Sequence, residues 1–477
     1  MHNHDQPFSW INRSPILLIP PIDYACTLRK FVHNPGAYDA DGDSLIYSII
    51  PPKQALNTDV NGFFIPQATT TFSIDRFNGE LVWDSPVSGQ DGKYNIAILI
   101  QEFRNGKEIG SIVRDMQIVV VICNNDPPVL TKIQDTCIEV GKTFTTIVKA
   151  IDPNVGDLIK LTAYGAPFVS PGNKATLTPP SNLGIDSVKA IFSWTSSCDQ
   201  VRKTPYEVVL RAEDQHSAPD INLVDMKFFN IRLVGPAPQN LSLNQFEDGF
   251  IFKWNKDSCN QAVAYNIYRR IDSSKWKHNY CETGVPSYTG YKLYYTDTGL
   301  TNNQYYDNES GLGLVPGTRY CYRVTSVYSP KGANNVPIYS EAAESYSSIE
   351  VCAEITKDRP VITNVSVLKT DSDSGKIWLG WSKPLKLDSV YYPGPYKYVI
   401  YRSPDINGRA FIPVDSLSNS SFQFFNDSSY IDTLKLNTFG KQYSYKIEFY
   451  SDSLGLKRQY IGKSRTGFFY LFKSYSR

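Results

Sequence analysis

Short runs of apolar and β-branched residues alternate with polar turns over residues 15–126. These runs are DSLIYSII, TTTFSID, RFNGELVW, KYNIAILIQEF and RDMQIVVVIC. Strand-like runs at intervals of about 8 to 12 residues, separated by Asn-Gly and Asp-Gly turns, predict a β-sandwich. The pattern ends at Pro127 and Pro128. Because proline cannot donate a hydrogen bond to a strand ladder, we place the first domain boundary there.

Residues 127–235 repeat this plan more loosely. An opening strand around Cys137 is followed by IDPNVGDLIKL, by AIFSW, and by the closing pair EVVLRAEDQ and MKFFNIRLV. Trp83 and Trp194 occupy the same position in the two repeats, late in the domain and before a strand that ends in an acidic residue. We predict that both indole rings pack in a core.

A different order of runs begins at GPAPQNLSL. It consists of FIFKW, AYNIYRR, SYTGYKLYY, TNNQYYD, LVPGTRYCYRVTSVYS and SSIEVCAEI, and residues 359–466 run through it again. Two features resemble a fibronectin type III domain. One is Trp254 on the second strand, with Trp381 as its counterpart, and the other is a Tyr-x-Tyr-x-Val strand after a Pro-Gly turn. The predicted fold class is therefore all-β, as tandem β-sandwich domains: two that resemble immunoglobulin or cadherin repeats, then two that resemble fibronectin type III. The predicted segments are a tail at 1–14, domains at 15–126, 127–235, 236–358 and 359–466, and an irregular tail at 467–477.

Composition supports several small domains of strands. The chain has 477 residues, too many for one hydrophobic core of ordinary size, and 32 Tyr and 24 Phe against 3 Met. Its net charge is only +1, with interspersed signs, so the sequence predicts neither a nucleic-acid partner nor an anionic membrane surface. No apolar run reaches the roughly 18 residues that span a bilayer. The start also lacks a signal-peptide pattern, and we expect the sequence to be part of a longer chain.

The eight cysteines are even in number and lie far apart in the sequence. They are Cys26, Cys123, Cys137, Cys198, Cys259, Cys281, Cys321 and Cys352. No C-x-x-C cluster accompanies them, so disulfides are favoured over zinc, and disulfides indicate an oxidising compartment. YCYRV and EVCAEI are predicted to be consecutive antiparallel strands, which would pair Cys321 with Cys352. For the other six we predict pairs close in sequence: Cys259 with Cys281, Cys26 with Cys123, and Cys137 with Cys198.

Several longer runs resemble the gliding-motility-associated surface proteins of Bacteroidota. They include SPILLIPPIDYAC, FVHNPGAYDADGDSLIYSIIPP, CETGVPSYTGYKL, LVPGTRYCYRVTSVY and PGPYKYVIYRSP, and the resemblance covers roughly residues 14–466. It implies cadherin-like or immunoglobulin-like repeats, fibronectin type III domains, and export by the type IX secretion system to the cell surface. That family also has a C-terminal sorting domain, which is not found in this sequence. The resemblance does not imply catalysis.

The strongest local pattern for ligand chemistry is Asp39-Ala40-Asp41-Gly42-Asp43, between two predicted strands. Carboxylates at alternate positions can converge on a hard cation, so Asp39, Asp41 and Asp43 are candidate Ca²⁺ ligands. Asp152, Asn154 and Asp157 form a weaker version, and residues 124–128 are similar to the calcium-binding linkers of cadherin repeats. The alternative is an ordinary acidic turn, because Asp, Asn and Gly are the residues that turns prefer. The residue types are compatible with both interpretations.

The tyrosines of YCYRV and YSYKI also have two interpretations. Tyr320, Tyr322, Tyr443 and Tyr445 could form a stacking platform for bases or sugars. The interpretation we favour places one tyrosine of each pair in the core and the other at the corner of the sandwich, held by its hydroxyl.

No nucleophile motif, zinc-hydrolase motif or phosphate-binding loop is present, so the sequence predicts a protein that is not an enzyme. Two functions follow from the modules and the resemblance. The first is an extracellular or cell-surface stalk or adhesin whose loops meet a glycan or protein ligand. The alternative is an accessory carbohydrate- or protein-binding region of a larger secreted enzyme. Fold and module type alone do not specify the ligand.

Overall fold

Alternation of buried and exposed side chains along extended segments produces an almost entirely β structure. The computed structural model describes residues 12–468, apart from 56–57, 90, 216–220, 257, 260, 299–302, 312, 330–336, 339–341, 357, 423–427, 454–455 and 465. The described residues form tandem β-sandwiches, which confirms the predicted fold class.

The first sandwich packs a four-stranded sheet, β2-β11-β10-β5, against a three-stranded sheet, β3-β9-β8. Its strands are β1 (Ile16–Leu17), β2 (Ile22–Cys26), β3 (Phe31–His33), β4 (Ala37–Tyr38), β5 (Ser44–Ile50), β6 (Lys53–Ala55), β7 (Thr58–Asp59), β8 (Phe72–Ile74), β9 (Leu81–Trp83), β10 (Gly92–Arg104) and β11 (Lys107–Val121). Ile96, Ile98 and Ile100 of β10 are fully buried, as side chains two residues apart share one face of a strand.

The second sandwich packs sheet β12-β14-β18-β16 against sheet β13-β20-β19-β15-β17. Its elements are β12 (Val129–Leu130), β13 (Thr136–Glu139), β14 (Thr143–Ile151), β15 (Leu158–Gly165), the short helix α1 (Ala166–Val169), β16 (Thr176–Thr178), β17 (Leu183–Ile185), β18 (Ser187–Thr195), a 3₁₀ turn (Cys198–Gln200), β19 (Tyr206–Gln215) and β20 (Val224–Val234). In both of these sandwiches an opening strand runs parallel to the last long strand, as β2 does to β11 and β13 to β20.

The third and fourth sandwiches share one plan, in which a three-stranded sheet faces a larger one. The third contains β21 (Gln239–Phe246), β22 (Gly249–Asn255), β23 (Ala264–Ile271), β24 (Lys292–Asp297), β25 (Gln304–Asp307), β26 (Arg319–Tyr328), β27 (Ala343–Glu344) and β28 (Val351–Glu354), with 3₁₀ turns at Ser287–Thr289 and Glu309–Gly311. The fourth contains β29 (Val361–Lys369), β30 (Gly375–Ser382), β31 (Tyr396–Ser403), β32 (Ile412–Asn419), β33 (Ser429–Leu436), β34 (Ser444–Ser453), β35 (Leu456–Lys463) and β36 (Gly467–Phe468).

The predicted irregular tail at 467–477 begins instead with a strand. Gly467 and Phe468 form β36 and pair with Tyr445 and Ser444 of β34. Phe468 therefore extends the larger sheet of the fourth sandwich, a pairing that the isolated apolar cluster did not indicate. Residues 469–477 lie outside the described residues, as do residues 1–11 of the predicted N-terminal tail.

The tryptophans lie in the cores, as predicted. Trp83 and Trp194 are no more than 1% exposed, and the indole N–H of each donates to a backbone carbonyl, that of Gln67 at 2.9 Å and that of Asn173 at 2.8 Å. Trp83 also meets two aromatic rings edge-on. Satisfying the N–H while burying the ring is what a large aromatic needs in a core.

The tyrosine pairs differ from the prediction in one respect. All four rings are buried, because residues two apart on a strand share a face. Tyr320 takes the corner position, and its hydroxyl accepts a hydrogen bond from the Val315 amide at 3.2 Å. Tyr322 donates its hydroxyl to the buried carboxylate of Asp307 at 2.7 Å, and Arg269 contacts the same carboxylate at 3.0 Å.

The fourth sandwich repeats this arrangement with other residues. Tyr443 accepts from the Asn437 amide at 3.0 Å, while Tyr445 and Arg402 bind the carboxylate of Asp432 at 2.9 and 2.8 Å. The repeat of a buried Arg–Asp–Tyr contact at matching positions shows that these tyrosines build the sandwich core. A stacking platform is therefore not what the buried rings form.

We expect Tyr322→Phe to lower the free energy of unfolding of the third sandwich by about 1–3 kcal/mol, because a buried carboxylate loses a donor. Tyr445→Phe should have a similar effect on the fourth sandwich. Hydrogen exchange of the amides of β26 and β34 measures both effects locally. Tyr288→Phe is the control, since that side chain is 68% exposed. An effect of the control as large as that of Tyr322→Phe would contradict the assignment.

Two of the four predicted disulfides are confirmed and two are wrong. Cys26 joins Cys123, and Cys321 joins Cys352 across facing positions of β26 and β28. Cys137 joins Cys281, however, and Cys198 joins Cys259. Both of these bonds connect the second sandwich to the third: one runs from strand β13 to a loop, and the other from a 3₁₀ turn to a loop. All eight cysteines are thus disulfide-bonded.

Candidate functional site

The acidic loop at residues 39–43 is buried against the body of the first sandwich. Asp39, Asp41 and Asp43 are each less than 5% exposed. One oxygen of Asp39 accepts hydrogen bonds from the backbone amides of Asp41 and Asp43, both at 2.9 Å. This is the local side-chain-to-backbone pattern that Asp provides in turns. The turn interpretation therefore describes part of what Asp39 does.

Arg104 of β10 lies among these carboxylates. Its guanidinium donates to both oxygens of Asp43, at 2.8 and 2.6 Å, and approaches Asp41 to 3.6 Å. The backbone amide of Arg13 donates to Asp41 at 2.8 Å. A cation supplied by the chain thus compensates Asp43 directly and Asp41 in part.

Asp39, Asp43 and Glu102 bring carboxylate oxygens within 4.8 Å of one another, whereas Asp41 is directed toward Arg13 and Arg104. Burial raises the pKa of Asp39 to about 7, with added repulsion from Asp43, although the amide of Asp43 acts in the opposite direction. Burial also raises the pKa of Glu102. The other oxygen of Asp39 has no hydrogen-bond partner among the described residues. Glu102, which comes from β10, accepts a hydrogen bond from the side chain of Asn12.

A second acidic group lies where the first sandwich joins the second. Asp152, Asp157 and Asp214 are less than 9% exposed and also place oxygens within 4.8 Å of one another. Burial raises the pKa of Asp214 to about 6, while hydrogen bonds from the Leu223 amide and Asn125 oppose this shift. The sequence prediction named Asp152 and Asp157 here but missed Asp214.

Asn125 of the linker belongs to the same group. Its side-chain N–H₂ donates to Asp214 at 2.8 Å and to the carbonyl of Ile221 at 3.0 Å. Its fully buried Oδ1 has no hydrogen-bond partner among the described residues. Asn154, the third predicted residue, instead accepts from the amide of Asp126 at 3.0 Å, and so ties the linker to the loop. Three buried carboxylates whose oxygens lie within 4.8 Å of one another are ligands of the kind that a hard cation takes.

Glu102, Arg104 and Asp214 were missed, although the alternation of buried and exposed positions along β10 and β19 indicates them. In β10 the buried face runs through Ile96, Ile98 and Ile100 and continues into Glu102 and Arg104. In β19 it runs in the same way through Val208, Leu210 and Ala212 into Asp214. A charged residue that continues the apolar face of a strand must be buried with a partner. That rule, applied to the sequence, would have identified all three.

Both groups lie near the contact between the first two sandwiches. Arg202 donates to the carbonyl of Asp39 at 3.2 Å, and Thr204 donates to that of Gly42 at 3.0 Å. Tyr38, next to the loop, packs into the core cluster of the second sandwich. A separate apolar cluster joins the two sandwiches through the side chains of Ile19, Val32, Val209, Val224 and Met226. The acidic groups are thus positioned to affect how firmly these sandwiches are joined.

Comparison with known proteins identifies no family. No protein-family model and no curated protein matches the chain. Solved structures that match include the chicken CNTN1 FN1-FN3 domains, at 15% identity over 72% of this chain and 96% of that one, with a TM-score of 0.18. A two-domain fibronectin type III segment of chicken tenascin matches at 12% identity over 49% of this chain and 98% of that one, also with a TM-score of 0.18. Similarity at this level carries no functional argument.

In the part of the chain that the structure describes, no helix has the length and apolar character needed to cross a bilayer.

Proposed function

We propose that this chain is a non-catalytic extracellular protein that acts as a structural stalk or adhesin at a bacterial surface. The observation that supports this most directly is the pair of disulfides between the second and third sandwiches. Disulfides persist in oxidising compartments, and bonds that cross a domain boundary restrict the orientation of the two domains. A semi-rigid series of sandwiches suits a protein that holds a contact away from a surface.

The finer assignment rests on the sequence resemblance to gliding-motility-associated surface proteins of Bacteroidota. On that basis we propose export by the type IX secretion system and a role in gliding or surface attachment. The loops at the ends of the sandwiches would meet a surface glycan or a protein ligand. The proposed export route and ligand could be wrong while the proposed role as a structural stalk is right.

Cell-surface exposure tests the proposal in a gliding bacterium that encodes this chain. We expect an epitope in an exposed loop to be labelled by antibody on intact cells, and external protease to remove it. We also expect deletion of the gene to reduce attachment or gliding speed, with restoration by the unaltered gene. An epitope reached only after lysis would contradict the surface location, and normal attachment and gliding in the deletion strain would contradict the role.

We further propose that Ca²⁺ binds at the acidic groups beside the joint of the first two sandwiches. Asp152, Asp157 and Asp214 form the more suitable group, because their buried carboxylates place oxygens within 4.8 Å of one another. Asn125, which donates to Asp214, also has a buried side-chain oxygen without a hydrogen-bond partner among the described residues. Binding at Asp39, Asp41 and Asp43 stays a prediction, and there Arg104 already supplies positive charge.

Millimolar Ca²⁺ is expected to raise the free energy of unfolding of this region by about 1–2 kcal/mol relative to EDTA. This follows from a ligand that binds only the folded state with sub-millimolar affinity. Hydrogen exchange of the full chain should show slower exchange at residues 124–130 and 150–158 with Ca²⁺. Asp214→Asn should abolish that change, and Asp39→Asn should abolish only a change at residues 37–43. Equal exchange in Ca²⁺ and EDTA at both places would leave the loops as ordinary acidic turns.

A further inference from the structure

The order of the disulfides along the chain determines which residues can be stretched by tension. Cys26 is bonded to Cys123, Cys137 to Cys281 and Cys321 to Cys352. These three bonds follow one another without overlap. We infer that they form a covalent path through the first three sandwiches, so that tension applied at the two ends bypasses most of the residues between Cys26 and Cys352. The inference extends the proposed stalk function, which gives the tension a purpose, but it depends only on the connectivity.

Because Cys26 is bonded to Cys123, residues 27–122 of the first sandwich lie outside the path. Cys26 ends β2 and Cys123 follows β11, and these two strands run parallel with Cys26 facing Val121. Tension that enters through β2 and leaves after β11 loads their ladder in shear, so that several hydrogen bonds must break together. The disulfide at the end of the ladder, with 97 residues of sequence separation, then prevents any extension of the loop that it closes.

The second bond crosses between sandwiches. Cys137 lies in β13, near the start of the second sandwich, and Cys281 lies in a loop of the third, 144 residues later. All of the second sandwich after Cys137 and the strands β21, β22 and β23 are therefore outside the path. The hydroxyl of Tyr280 donates to the carbonyl of Cys137 at 2.7 Å and accepts from its amide at 2.9 Å. These hydrogen bonds hold the loop against β13 at the point where tension would cross.

The other bond between the second and third sandwiches lies outside the path. Cys198 and Cys259 both lie inside the loop that Cys137 and Cys281 close. Tension does not reach this inner bond while the outer one is intact. The two crossing bonds are therefore a matched pair: both join the same sandwiches, but only the outer one lies on the path.

Two stretches in this part of the chain remain extensible, residues 124–136 and residues 282–320. Pulled straight at roughly 3.4 Å per residue, they give at most about 190 Å, whereas the same region without disulfides would give about 1,100 Å. The fourth sandwich contains no cysteine. Its unfolding should release about 370 Å in any redox state, which provides an internal length standard.

Single-molecule extension of the full chain, held at its two ends, tests the inference. Between Cys26 and Cys352 the oxidised protein should extend by no more than about 190 Å, in addition to the step of the fourth sandwich and the residues outside Cys26–Cys352. A thiol reductant should bring the extension of that region toward the disulfide-free value. Cys137→Ser with Cys281→Ser should add about 280 Å, because the inner bond then becomes part of the path. Cys198→Ser with Cys259→Ser should add nothing.

Contour length depends on covalent connectivity, and a non-reducing peptide map of each variant shows whether its remaining disulfides have formed. Equal lengthening by the two double variants, or an oxidised chain that extends as far as the reduced one, would overturn the inference. Failure of the stalk function would appear separately, as normal attachment and gliding in the deletion strain with the extension traces unchanged.

Discussion

Replacing Trp83 with alanine is expected to lower the free energy of unfolding of the first sandwich by about 3–5 kcal/mol. The ring is fully buried between the two sheets, meets Phe72 and Tyr94 edge-on, and donates its N–H to the carbonyl of Gln67. The substitution leaves a cavity and a backbone carbonyl without its donor. Both changes lower the free energy of unfolding.

Hydrogen exchange in the full chain measures this loss for one sandwich at a time. The most protected amides of β10 and β11 should exchange about 10²- to 10⁴-fold faster, while those of β34 in the fourth sandwich should not change. Phe77→Ala is the control, because Phe77 is 77% exposed and surface substitutions usually shift stability by less than about 0.5 kcal/mol. Unchanged protection in the Trp83 variant would mean that the ring does not support this core.

Removing the Cys26–Cys123 disulfide is expected to destabilise the first sandwich by roughly 4–5 kcal/mol. The bond closes a loop with a sequence separation of 97, and the chain-entropy relation assigns about this value to a loop of that size. The bond also fixes the parallel pair of β2 and β11, which is otherwise held at one edge of the sheet.

A variant with serine at both Cys26 and Cys123 tests this value by exchange of the β2 and β11 amides. Serine at both Cys321 and Cys352 is the comparison, since that bond spans only 31 residues and should contribute about 1 kcal/mol less to the third sandwich. Full protection of β2 in the first variant would show that the ladder does not need the bond.

The alternation of residues in the sequence predicted the sandwiches well because each strand reports its own buried face. The apolar positions of KYNIAILIQEF and MKFFNIRLV and the core tryptophans needed no knowledge of distant contacts. The tyrosine pairs were assigned partly wrongly for a local reason. Residues two apart share a face, so Tyr320 and Tyr322 enter the core together.

The disulfide pairing between sandwiches could not be obtained in this way. Pairing cysteines close in sequence assumes that each sandwich closes on itself, which holds for Cys26 with Cys123 and for Cys321 with Cys352. Cys198 lies in a 3₁₀ turn of the second sandwich and Cys259 in a loop of the third. Strand patterns carry no information about that contact.

In the acidic groups, too, the local residues could be predicted from the sequence and the distant ones were missed. The loop residues Asp39, Asp43, Asp152 and Asp157 could be found from turn composition, whereas Glu102 and Asp214 reach the groups from distant strands. Arg104, which changes the charge balance of the first group, comes from the same strand as Glu102. The motif that was stronger in the sequence therefore carries its own cation, Arg104.

Peptide mapping under non-reducing conditions tests most directly whether the second and third sandwiches are covalently connected. Proteolysis of the oxidised full chain, followed by mass spectrometry, should yield the peptide with Cys137 joined to the peptide with Cys281, and Cys198 joined to Cys259. Cys137 joined to Cys198, with Cys259 joined to Cys281, would contradict that connection: each sandwich would then be closed on itself, and no covalent bond besides the backbone would connect them.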